Sequence, residues 1–340
     1  MHQSLYRIRE KGYYGFINAQ GEVVIDPQYL DASDFSQGFA RVRLNDQWVP
    51  IDEQGRLLLR RMYRFVGPFK EDLARVQLVR AWGYMNLRGQ EQIPVQYDSA
   101  NDFSESMAAV TLEGRSGFID KNGVFVIPPR FESTGDFNQG LAPAGKNGKV
   151  GYINTEADFV IPPGWDRAHP FQGQVAVVEN DGLWGLIGRD GKTLVEPRFQ
   201  FVTGHSEGEF FDGMALAFSD GKYGFVSQDG RLAIEPMFDL AGDFGEDMAL
   251  VEINGAYGYI DKTGKLLIMP NFEDAGVFSE GLAQVSINGQ WGYINTEGRV
   301  TIPAQYQAAT PFRDGLALTA IDGHWQYIDR FGGVVWREKA

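Results

Sequence analysis

Between Phe278 and Phe312 short alternations of apolar and polar residues are broken by turn residues, FSEGLAQVSINGQWGYINTEGRVTIPAQYQAATPF. Ala283, Val285 and Ile287 alternate with Gln284 and Ser286, and Trp291 and Tyr293 alternate with Gly292 and Ile294. A period of two is the signature of strands with one face buried. The same pattern recurs along the whole chain. Anchored on Trp291, steps of 34 reach Tyr257 and Tyr223; a step of 39 reaches Trp184; further steps of 34 give Val150, Ser116, Trp82, Trp48 and Tyr14, with Trp325 on the other side. These are ten registers in 340 residues, with one five-residue insertion in Gln200–Glu209.

Three positions repeat almost without exception. Phe stands at 35, 69, 103, 137, 171, 210, 244, 278 and 312; Ala follows five residues later; an aromatic such as Tyr97, Phe131 or Tyr306 precedes each Phe. One repeat has too few apolar residues to enclose a core, but repeats side by side can bury these rings between them. Each large side chain removed from water contributes roughly 1.5–3 kcal/mol. The repeated Ala predicts a site with no room for a larger side chain.

Turn chemistry divides each repeat. Asn288-Gly289, Asn254-Gly255, Asn147-Gly148, Asp181-Gly182, Asp220-Gly221 and Asp322-Gly323 stand just before the Trp/Tyr register. Such pairs suit the positive φ of two-residue hairpins. A second turn around Asn295–Gly298 is echoed at Gly21, Gly55, Gly89, Gly123, Gly191, Gly230, Gly264 and Gly332, and a third strand is predicted to run to Ile302 and stop at Pro303. The stretch 69–82 has no Gly or Pro and would suit a helix, but Phe69, Ala74 and Val76 hold the strand register. The expectation is an all-β chain of ten tandem three-stranded antiparallel meanders of ~34 residues, forming one open, curved or superhelical array over 1–340. One or more closed β-propeller-like rings are the alternative.

Trp291-Gly292-Tyr293-Ile294, Trp82-Gly83-Tyr84 and Trp184-Gly185-Leu186-Ile187, with the flanking Phe-Ser-Glu-Gly-Leu-Ala of 278–283 and Ile-Pro-Ala-Gln-Tyr of 302–306, resemble the WG (KWG) repeat of bacterial proteins. The resemblance runs over essentially the whole chain. It implies a β-rich repeat array serving as a binding or interaction module, and it carries no catalytic motif to transfer. Trp48-Val49-Pro50, Ser116-Gly117, Val150-Gly151 and Trp325-Gln326 depart from the pattern.

Composition narrows the chemistry. With no Cys, disulfides and thiolate metal sites are excluded. No apolar run approaches a membrane span and the N-terminal stretch lacks a signal-peptide core, so a cytoplasmic location is expected, with no membrane partner. A net charge of −14 disfavours nucleic acid. Residues 1–90 nevertheless hold 13 basic and 10 acidic side chains, a net of +3, which leaves −17 for the remainder.

Candidate catalytic features are sparse. Gly188-Arg-Asp-Gly191-Lys192-Thr193 ends like a phosphate-binding loop, but Leu186 occupies the required first Gly. His2, His169, His205 and His324 show no metal-ligand spacing, although His205 with Glu207, Glu209 and Asp212 could hold a hard cation. Asp34, Asp102, Asp136 and Asp243, just before the repeated Phe, read as turn caps, because catalysis needs one asymmetric pair and not a copied set. No enzyme, cofactor or metal is expected. Arg56, Arg60, Arg61 and Arg64 crowd one repeat, with Arg61 where other repeats have Pro. They are the candidate contact for an acidic protein partner. The expected role is a non-enzymatic binding scaffold for a protein. The alternatives are a dedicated inhibitor or immunity-type protein masking a toxin or enzyme, and an enzyme or carbohydrate or small-molecule binder with a site between repeats.

Overall fold

A computed structural model describes residues 4–36, 38–45, 47–58, 63–200 and 208–339. Among these residues there are strands and turns and no helix. The 69–82 stretch is strand, turn and strand, with Phe65–Lys70, Leu73–Leu78 and Ala81–Asn86 in succession. Two compact units are present. One comprises Met1–Asn18, Val23–Asp181 and Arg189–Gly191, and the other Ala19–Glu22, Gly182–Gly188 and Lys192–Ala340.

The repeat around Trp291 shows how the sequence builds one sheet. An alanine strand, Leu282–Ile287, pairs antiparallel with a tryptophan strand, Gln290–Asn295, which pairs with a proline strand, Val300–Tyr306. The hairpin between the first two turns on Asn288 at φ 53° and Gly289 at φ 74°, as the Asn-Gly pair predicts. Trp82, Trp184 and Trp291 each stand second in their strands.

Two details differ from the sequence-based expectation. First, the proline strand does not stop at Pro303 but continues to Tyr306. A bulge between Trp291 and Tyr293 accommodates two extra residues on the proline strand, and bulges are where a sheet tolerates Pro. Gly292 makes this possible: a Cβ there would stand 2.6 Å from the Ala304 nitrogen and 2.7 Å from the Ile302 oxygen. In the last repeat Gln326 replaces that Gly, and the bulge at this register is missing, with Gln326 paired directly to Arg337, while the shift between Tyr327 and Ile328 remains. Second, a two-residue leading strand such as Asp274–Ala275 adds a fourth member to several sheets by pairing with the alanine strand.

The core repeats with the sequence. Rings in the tryptophan strand meet the repeated Phe in Phe16–Phe35, Tyr84–Phe103, Phe118–Phe137, Tyr152–Phe171, Phe225–Phe244, Tyr259–Phe278 and Tyr293–Phe312, with centroids 4.6 to 4.9 Å apart. Such tilted and edge-on pairs contribute beyond their burial. The hydroxyls of Tyr84, Tyr152, Tyr259 and Tyr293 donate to backbone carbonyls 17 residues on, and burial raises the pKa of all four. Every repeated Ala from Ala40 to Ala317 is at most 2% exposed.

Candidate binding cleft

The repeated charged residues bind neighbouring repeats together. The acid two residues after the repeated Phe sits at φ near 50° and its carboxylate accepts the backbone N–H of the matching turn one repeat on. Glu71 takes Ser106, Glu105 takes Gly140, Asp212 takes Asp247, Glu246 takes Gly281 and Glu280 takes Gly315. Arg7, Arg41 and Arg75 each donate to a carbonyl 25 residues later, on Ala32, Val66 and Ala100. Much of the basic excess of the N-terminal segment is therefore structural.

Two of the carboxylates before the repeated Phe, Asp102 and Asp136, link to other repeats and do not cap their own turns. Asp102 pairs with Arg75 at 2.9 Å and Asp136 accepts from the Asn101 amide at 2.8 Å, each a long-range link along the chain. Burial raises the pKa of Asp102 and of Asp136. The caps are carboxylates two to four residues earlier in their own turns, for example Asp120 receiving the N–H of Asn122 and of Val124.

The predicted basic contact is only partly in view, since Arg60 and Arg61 lie outside the described residues. Arg56 is committed to its own turn, 2.6 Å from Asp52 and 3.0 Å from Gln54. Arg64 is exposed. The cation candidate is similar: His205 and Glu207 lie outside the described residues, and Asp212 is 3.2 Å from Lys262. Gly188 donates its N–H to the Lys192 carbonyl in an ordinary turn. Among the described residues no cluster suited to a metal ion is found.

A cleft of about 560 Å³ opens in the first compact unit, where the Ser116 and Val150 repeats meet. Its wall includes Arg115, Arg130, Phe131, Lys146 and Phe159. The cause is legible in the register. Ser116 sits opposite Phe131, where Trp82 sits opposite Tyr97 and Trp291 opposite Tyr306, so the large ring that elsewhere covers this aromatic is missing. The small Ser116 is buried and bonded to Thr111 at 3.0 Å.

Exposed cationic side chains line the cleft. The Arg130 guanidinium lies 5.2 Å from the Phe131 ring centre and donates to the Ala157 carbonyl at 2.7 Å. The Lys146 ammonium lies 5.9 Å from the Phe159 ring, which meets Phe131 edge-on at 5.9 Å. Lys146 replaces the apolar residue found at Leu44, Leu78, Leu112, Ile253, Ile287 and Ile321, and Gly145 has no side chain where Thr111, Glu179 and Ser286 have one. Lys149 and Lys222, the register mates of Arg115, pair with Asp166 and Asp239. Glu132, the matching acid for Arg115, instead accepts the Gly148 N–H at 2.8 Å. Among the described residues Arg115, Arg130 and Lys146 enter no ion pair. Ser116 is visible in the sequence as a departure, but only the pairing register places it opposite Phe131, whose ring stays buried beside the cleft.

Strands, turns and ring pairs copied at this spacing define an all-β tandem-repeat protein. The chain belongs to the WG containing repeat family, which matches at residues 14–48, 51–78, 82–115, 117–149, 151–184, 184–223, 223–255, 257–291 and 291–325. No curated protein matches it. Among solved structures it is similar to a eukaryotic initiation factor, with 12% identity, 100% of this chain and 96% of that one covered, and a TM-score of 0.58. At that identity the likeness is one of fold. Hsv2 of Kluyveromyces lactis (9% identity, 79% of this chain and 94% of that one, TM-score 0.41) and the dihydro-heme d1 dehydrogenase NirN in complex with DHE (10%, 99% and 73%, TM-score 0.41) are more distant and carry no argument.

Proposed function

We propose that this protein is a non-enzymatic scaffold that binds a protein partner. The observation that carries the reading is the division of labour within the repeat. The repeated residues, namely the ring pairs, the Ala and the linking carboxylates, are spent on the core and on joining repeats. What differs between repeats lies on the surface and around the cleft, where Lys146 stands in place of the Leu or Ile of six other repeats. Repeat scaffolds draw specificity from such varying positions. Exposed Arg64 would extend the contact toward an acidic partner surface.

The test is affinity purification from the native cell after cross-linking, followed by reconstitution of each captured protein with the purified chain and titration calorimetry. A saturable complex of fixed stoichiometry is expected. Turnover of a small molecule by the purified chain, with no protein forming a complex, would overturn the reading.

A further inference from the structure

We infer that the cleft around Phe131 docks an acidic segment of the partner, an extended stretch carrying Glu or Asp beside an apolar side chain. This rests on the scaffold reading and specifies what the scaffold holds. The protein carries −14 overall, yet the walls of this cleft bring together three cationic side chains that form no ion pair among the described residues. Lys146 stands where six other repeats place Leu or Ile, so the repeat has exchanged an apolar residue for a charge at the cleft wall. Arg115 stays unpaired although Glu132 occupies the position that neutralises its counterparts Lys149 and Lys222.

The shape and chemistry select the ligand. A volume of about 560 Å³ is in the range of small-ligand and peptide-side-chain sites. The half-buried Phe159, packed edge-on against the buried Phe131, offers apolar surface, while the guanidinium groups offer paired donors for carboxylates. Glu132 and Asp158 also line the cleft. They would repel a polyanion such as a nucleic-acid strand, but they are compatible with a peptide whose carboxylates are separated by apolar residues.

The substitutions that test this already occur in other repeats of the same chain. Lys146→Leu installs the residue of Leu112, and Arg115→Gln that of Gln47 and Gln290, so the fold should be retained. The probe is a fluorescein-labelled ten-residue peptide alternating glutamate and phenylalanine, followed by anisotropy. A lysine-for-glutamate peptide and a single-stranded decanucleotide serve as controls.

Saturable binding of the acidic peptide is expected, weakening with salt and reduced about tenfold or more in the double variant, whose melting temperature stays unchanged. Absence of binding, equal affinity of variant and wild type, or preference for the lysine peptide or the oligonucleotide overturns the inference. The reconstituted partner separates the two levels of argument. A partner that binds the double variant as tightly as wild type sinks the cleft assignment and leaves the scaffold reading standing. If no partner forms a complex the scaffold reading falls, and the peptide titration still decides the cleft.

Discussion

Val79 holds a φ of 57° at the turn between two strands, where Leu78 pairs with Ala81. Other repeats place Asn or Asp at this point, as in Asn147 and Asp181, because their short polar side chains tolerate a left-handed backbone. A β-branched residue does not, and the strain is about 1–2 kcal/mol. Val79 is 72% exposed, so replacing it forfeits little burial. Val79→Asn is expected to stabilise the protein by about 1 kcal/mol in urea unfolding; a lower midpoint would show that the turn gains something from the valine. The converse case is Ala283, which is fully buried among Phe278, Val285 and Ile294. Ala283→Leu should cost about 1–3 kcal/mol through overpacking. An unshifted thermal transition would mean that the pocket can expand to take the extra carbons.

Elements were legible to the extent that their signals are local. The Asn-Gly and Asp-Gly turns, the strand alternation and the Ala register could be read directly, since each depends on residues adjacent in the chain. The extension of the proline strand past Pro303 could not, because it depends on a bulge opposite Gly292. Nor could the linking role of the repeated Glu, whose partner amide lies 35 residues away. The cleft was hidden for the same reason: Ser116 is visible as a departure, but only pairing with Phe131 gives it meaning. The Glu link has a measurable consequence. The Glu280 carboxylate receives the Gly315 N–H at 3.0 Å in a partly buried setting. Glu280→Ala should cost about 1 kcal/mol, with Glu280→Gln recovering part of it as a neutral acceptor. Equal melting temperatures for all three proteins would show that water replaces the link at no cost.

On the scale of the whole molecule, repetition multiplies small electrostatic terms, and their signs set the response to pH. Five carboxylates lie below their ordinary value of 3.8 through hydrogen bonds. The leading donors are the Val124 amide for Asp120, Lys149 for Asp166, the Asp247 amide for Asp212, Lys222 for Asp239 and the Thr263 hydroxyl for Asp261. The stability these five contribute is present above pH 3.8 and is lost as pH falls through their lowered values. Asp102 and Asp136 act oppositely. Burial raises both above 3.8, and Asp102 raises Asp136 further, while Arg75 and the Asn101 amide offset part of the cost. Between 3.8 and their raised values the folded protein binds more protons than the unfolded chain, so this pair loses stability as pH rises through that window and stays costly at pH 7. Asp136→Asn removes the buried charge and keeps an oxygen for the Asn101 amide, which now donates at 2.8 Å. The variant should therefore melt higher than wild type at pH 7, with the gain shrinking as pH falls toward 3.8. Both proteins should unfold on further acidification as the five hydrogen-bonded carboxylates protonate. Differential scanning calorimetry from pH 3 to 7 reads both effects, and a gain that stays constant across the range would show that the Asp136 charge is not its source.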